Sequence, residues 1–168
     1  FQQLRTFHAQ HPRLCTYLDI IKGKHNRVFV ISQTYSWSIG EVVRQSQSHF
    51  SEKQIKSVVF QLLDALVFLN SRQIVHRKLQ LDNLMIDEQG FVKLADYGMY
   101  CMTKSGSLVA FPIGDPRYIS PETIAEGIVF SETPDTPKSD IWSLGIILFE
   151  LITGGQLPWP VTSNSPYK

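Results

Sequence analysis

The sequence predicts a single α+β domain, mostly helical toward its C-terminus, with a small remnant of sheet near its start. Three observations carry this reading. Ile55, Val58, Val59, Leu62, Leu66 and Leu69 recur at helical spacing. Leu84–Asp87 and Phe91–Leu94 flank Glu88-Gln89-Gly90 as a short hairpin would. Ser139–Thr153 is apolar on every face and stops at Gly154-Gly155, the pattern of a fully buried helix with a glycine end.

In chain order, Leu14–Ile21 reads as a strand, Lys22–Asn26 as a turn, and Arg27–Ser32, rich in β-branched and aromatic residues, as its partner strand. The polar stretch Gln33–Ser38 reads as a connector. Ser51-Glu52-Lys53-Gln54 fits the capping box, a hydroxyl followed three residues later by an amide, and starts the long amphipathic helix. Thr123–Lys138, with Pro134 and Pro137 among polar residues, reads as a surface loop.

Composition limits the function classes. With 168 residues, 43% of them hydrophobic, the chain can bury one core. Its net charge of +1 gives no electrostatic reason to seek nucleic acid or an anionic membrane. The longest apolar stretch, Ile141–Ile152, is too short to cross a bilayer, so no membrane insertion is expected. Cys15 and Cys101 form no metal or redox pattern and read as reduced thiols of a cytoplasmic protein. Nothing in the first thirty residues resembles a signal peptide.

His76-Arg77-Lys78-Leu79 followed by Asn83 resembles the protein-kinase catalytic loop H-R-D-L-x-x-x-N. Asp96-Tyr97-Gly98 resembles D-F-G, Ser120-Pro121-Glu122 resembles A-P-E, and Asp140 to Gly145 resembles the start of the central helix of the kinase C-lobe. These motifs stand in the family's order. The resemblance implies a protein-kinase-like fold, with residues 1–35 as the end of the N-lobe and the hinge and 36–168 as the C-lobe through its central helix. The domain reads as partial, truncated at both ends. His11-Pro12-Arg13-Leu14-Cys15, Gly23-Lys24-His25 and the Phe111–Tyr118 stretch are similar to the TBC-domain-containing kinase-like family, regarded as pseudokinase-bearing.

The matched positions carry the functional expectations. A kinase needs a carboxylate to accept or orient the nucleophile's proton, and Lys78 stands there with the opposite charge. Gln80 replaces the lysine that would steady the γ-phosphate. No catalytic set is intact. Asn83 and Asp96 match the Mg²⁺ ligands, either as a residual metal site or as side chains that hydrogen-bond their own loops. By resemblance Gln33, Tyr35 and Met85 would meet a nucleotide; no cofactor is certain, and any binding of ATP and Mg²⁺ is expected to be weak.

His76, Arg77, Tyr97, Gly98, Asp115, Glu122 and Asp140 take structural roles by the same resemblance. His76 and Tyr97 would stack in the column linking the lobes, and Asp140 would accept N–H bonds from the catalytic loop. Glu122, lacking the late arginine it pairs with in relatives, is either solvated or completed by chain beyond Lys168. Arg77 could bind a phosphorylated segment at Thr103, Ser105 or Ser107, though a hydroxyl-rich loop is the plainer reading. Lys78 is expected to pair with Asp115, which stands where relatives carry a threonine, with Asp96 as a competitor.

The reading that emerges is a catalytically impaired kinase-like domain that binds or scaffolds protein partners. Its alternatives are a serine/threonine kinase with a non-standard catalytic loop, or a non-functional fragment of a larger protein.

Overall fold

The computed structural model describes residues 10–24, 28–45, 50–98, 115–124 and 136–159. Strand β1 (Tyr17–Lys22) pairs antiparallel with β2 (Val28–Ser32), running from Tyr17 opposite Ser32 to Lys22 opposite Val28. The ladder shifts between Tyr17 and Asp19, leaving Leu18 outside the pairing and exposed. The expected strand from Leu14 is shorter at its start. Leu14 instead bridges in parallel to Leu94, with Cys15 N–H donating to the Leu94 carbonyl at 2.9 Å and Leu94 N–H to that of Arg13 at 2.8 Å. The Arg13 carbonyl and the Cys15 N–H are thereby spent on a partner about eighty residues away, which no local pattern encodes.

The stretch read as a connector ends in a two-residue strand, β3 (Trp37–Ser38), and leads into helix α1 (Ile39–Gln45). Ser38 caps that helix. Its hydroxyl accepts from Glu41 N–H at 3.1 Å while the Glu41 carboxylate accepts from Ser38 N–H at 2.7 Å. Beneath it Asp82 pairs with Arg44 at 2.7 Å, so close to Gly40 that a Cβ there would collide with the carboxylate.

Helix α2 (Glu52–Ser71) starts at the predicted box, where Gln54 N–H donates to Ser51 Oγ and Ser51 N–H to Gln54 Oε1. It buries Val58, Leu62, Ala65, Leu66 and Leu69, with Ile55 and Val59 partly covered. β4 (Leu84–Ile86) and β5 (Val92–Leu94) form the expected hairpin and join β3 in a three-stranded antiparallel sheet ordered β3-β4-β5. Buried Gln61 ties helix to hairpin, its Oε1 accepting Val92 N–H at 3.0 Å.

Residues 121–124 form one helical turn. Helix α3 (Pro137–Thr153) begins inside the expected loop, with Pro137 in its first turn, where a missing N–H costs nothing. It ends at Gly154 in the left-handed region (φ 69°), as the glycine pair predicts. Leu144, Ile146, Ile147 and Leu151 enter the core, whereas Ile141, Trp142, Phe149 and Ile152 are exposed. The expectation of full burial is therefore corrected. An apolar run sets how much surface a helix can bury, but its neighbours decide how much is covered.

The first sheet is fastened to the rest by two tyrosines. Tyr17 and Tyr97 stack with centroids 4.5 Å apart, Tyr17 Oη donating to the Tyr97 carbonyl at 2.8 Å and Tyr97 Oη to the Cys15 carbonyl at 2.9 Å. Both rings are buried. Cys15 lies beside them, its thiol pushed up to about 12 by burial and hence unreactive; Cys101 is outside the described residues. Among the described residues no helix is long and apolar enough to cross a membrane.

Removing one hydroxyl tests the fastening. Tyr97→Phe leaves the Cys15 carbonyl without that donor and should lower unfolding free energy by about 1–3 kcal/mol, read from urea titration. A phenylalanine that costs nothing would mean the Tyr97 hydroxyl adds nothing to the fastening.

Candidate functional site

The Val75–Ile86 stretch leaves α2 through Gln73 at positive φ and must present several polar groups away from water. Asp140, in the first turn of α3, anchors it. One carboxylate oxygen accepts His76 N–H at 2.7 Å and the other Arg77 N–H at 3.0 Å. The positive end of a helix dipole favours a carboxylate there. Arg77 takes a left-handed conformation (φ 66°), which costs a non-glycine residue about 1–3 kcal/mol unless neighbours impose it. Asp140 performs the role expected of it.

His76 is buried, with Nε2 2.8 Å from the Ala95 carbonyl and Nδ1 3.2 Å from Lys78 N–H. An N–H must face the carbonyl and a lone pair the amide, so the ring is the neutral Nε2–H tautomer. Burial lowers its pKa from the ordinary imidazole range, against the opposing pull of Asp140. The ring thus serves as a hydrogen-bonding bridge between Ala95 and Lys78. The stack of Tyr97, however, is with Tyr17.

Lys78 and the two expected metal ligands form one cluster. The Lys78 ammonium donates to Asp96 Oδ2 at 2.7 Å. The Asn83 side-chain amide donates to the Lys78 carbonyl at 2.7 Å, and the Asn83 carbonyl accepts Ala95 N–H at 2.8 Å. Asp96 is held at φ 61°, beside Gly98 at φ 69°. The side chains of Lys78 and Asp96 are 35% and 32% exposed, so the pair is neither dry nor fully solvated. Gln80 is half-buried and contributes its carbonyl to Asn83 N–H at 3.0 Å.

The expected pairing of Lys78 with Asp115 is overturned. Asp115 is held by Arg117, whose Nε lies 2.9 and 2.8 Å from its two oxygens and whose Nη2 closes the fork. Arg117 N–H also donates to Asp115 Oδ1 at 2.9 Å. A guanidinium two residues away offers a planar, bidentate grip with little chain to order. Downstream, Ser143 Oγ donates to the Tyr118 carbonyl at 2.7 Å, and Tyr118 Oη to buried Glu150 at 2.6 Å. Burial raises the Glu150 pKa. Glu122 is exposed among the described residues. Thr103, Ser105 and Ser107 lie outside the described residues.

Two of the three nucleotide candidates share a cavity wall. Gln33 and Tyr35 line a cavity of about 540 Å³ with Trp37, Ile86, Asp87 and Lys93. Met85, in β4, is not on its wall, nor are Asn83 and Asp96. Tyr17, whose partner is Tyr97, and Arg44, whose partner is Asp82, were not legible as contributors. Their contacts join positions 80 and 38 residues apart.

Asn83 and Asp96 do not fit Mg²⁺ as they stand. Mg²⁺ needs nearly octahedral oxygen ligands and gives up water reluctantly. Here one oxygen of the only carboxylate of the pair already faces an ammonium. Two unit charges 4 Å apart repel by about 4 kcal/mol at an effective dielectric constant of 20, and a divalent ion doubles that.

Two measurements check this geometry. A double-mutant cycle on Lys78→Met and Asp96→Asn should give a coupling of about 0.5–1 kcal/mol, modest because solvent screens the pair, while Lys78→Met with Asp115→Asn should give none. The folded pKa of His76 lies below its unfolded value of about 6.5, so the unfolded chain binds more protons as pH falls. Stability should therefore hold above about pH 7 and decline toward pH 5.5, by up to about 1.4 kcal/mol per pH unit for one such group. His11, whose pKa burial also lowers, adds in the same direction, so His76→Gln should flatten the profile only in part.

The protein kinase domain family matches residues 2–168 of the chain. The chain is 44% identical over 165 residues to the TBC domain-containing protein kinase-like protein of Mus musculus, covering 94% of this chain and 18% of that protein. It is 43% identical over 166 residues to the Homo sapiens protein of the same name, with the same coverage of each. The Gallus gallus protein of that name is 42% identical over 165 residues, again 94% and 18%. The chain thus spans about a fifth of the length of these curated relatives. It belongs to the protein kinase domain family.

Proposed function

We propose that this is a catalytically impaired kinase-like domain, a pseudokinase, which serves as a binding or scaffolding module for protein partners. One observation carries the reading: the residue in the catalytic-base position is a lysine, and its ammonium rests on the aspartate of the D-F-G-like motif. A protonated amine cannot accept the proton of an attacking hydroxyl, and loss of a positioned base costs about 10²–10⁴ in rate. Gln80 withdraws a second charge from the place where phosphate would lie. The structural parts of the same loop are all in use, from Asp140 to His76 and Asn83. Selection of fold without chemistry fits that contrast.

The test is phosphotransfer by the purified full-length protein with ATP and Mg²⁺, on itself and on generic substrates. No transfer above that of Asp96→Ala is expected. Lys78→Asp should not bring it back, because Gln80 still leaves the phosphate unsteadied. Transfer that Asp96→Ala abolishes would return the chain to the active serine/threonine kinases.

A further inference from the structure

We infer that Lys78 is a built-in cation at the place where Asn83 and Asp96 would hold a divalent ion, so that the domain excludes divalent metal from this pair while the lysine is present. The inference deepens the pseudokinase reading and rests on it for the identity of the two ligands.

Each polar group of Lys78 is committed. Its N–H faces His76 Nδ1 at 3.2 Å, its carbonyl accepts from Asn83 Nδ2 at 2.7 Å, and its ammonium donates to Asp96 Oδ2 at 2.7 Å. One residue therefore engages both candidate ligands, by main chain and by side chain. The Asn83 amide is oriented by its bond to Lys78, and its backbone is held from both sides by Gln80 and Ala95. Asp96 has little freedom to swing elsewhere. It sits at φ 61° between Ala95, whose N–H and carbonyl meet Asn83 and His76, and Tyr97, whose carbonyl and hydroxyl meet Tyr17 and Cys15.

The ammonium and carboxylate neutralise each other, so the pair presents no net charge to attract a divalent ion. A metal that approaches must displace the ammonium or bear its repulsion, while gaining a ligand set with one carboxylate. The charge that a metal would supply is already in the chain.

The experiment titrates Mn²⁺ alone into the full-length protein and counts bound ions by the loss of the free-ion paramagnetic resonance signal. Wild type and Asp96→Asn should bind the same number. Lys78→Met should bind one more, and Lys78→Met with Asp96→Asn should lose it again. Lys78→Gln serves in the same comparison should the methionine variant fail to fold. An ion bound by wild type and absent from Asp96→Asn would overturn the inference, as would folded lysine variants that gain none. Phosphotransfer measured on the same preparations separates this inference from the reading beneath it. An Asp96-dependent ion without transfer overturns metal exclusion alone, whereas transfer without such an ion overturns the pseudokinase reading alone.

Discussion

The buried carboxylate of Asp140 is the constraint on which the loop geometry depends. Two successive backbone N–H groups, those of His76 and Arg77, point at its two oxygens, which lie 64 and 63 residues further along the chain. Without that acceptor the buried His76 donor would go unmet, and the left-handed turn at Arg77 would lose a bond that holds it. From this anchor the remaining bonds follow in sequence. His76 is turned toward Ala95, Lys78 toward Asp96, and Asn83 back onto Lys78.

The same circuit explains how a changed residue can be accommodated without disturbing the fold. A lysine in this position keeps the backbone role, since N–H and carbonyl are common to all residues here, and brings only a new side chain. That side chain finds the nearest carboxylate of the loop system, Asp96, while the more distant Asp115 is already gripped by Arg117. Proximity and a bidentate fork decide the partners more than charge alone, because each partly exposed ion pair is worth about 1 kcal/mol or less.

Stability and function thus draw on different parts of the molecule. The core of α2, α3 and the β4–β5 hairpin, with Leu62, Leu69, Leu84, Leu94, Ile147 and Leu151 wholly enclosed, carries the apolar burial. The Tyr17–Tyr97 clasp hangs the first sheet on that core through the residue that follows Asp96. The position of Asp96 is therefore coupled to how the two sheets are joined, and the changed chemistry sits on an intact frame.

Much of this was written in the sequence. The motif order stands in the sequence as written, and the capping box at Ser51, the turn at Gly90 and the stop at Gly154 each depend on residues within four positions, where local sterics and hydrogen bonding act alone. The signature at Ser38 and Glu41 is equally local, yet the reading of Gln33–Ser38 as a connector passes over it and the helix α1 that it starts. Only the tertiary structure decided that Leu14 joins Leu94, that α3 leaves Ile141 and Phe149 uncovered, and that Lys78 meets Asp96 while Asp115 meets Arg117. Those outcomes depend on distances between elements. A sequence states which charges and apolar faces exist, and the packing of distant segments determines which of them meet.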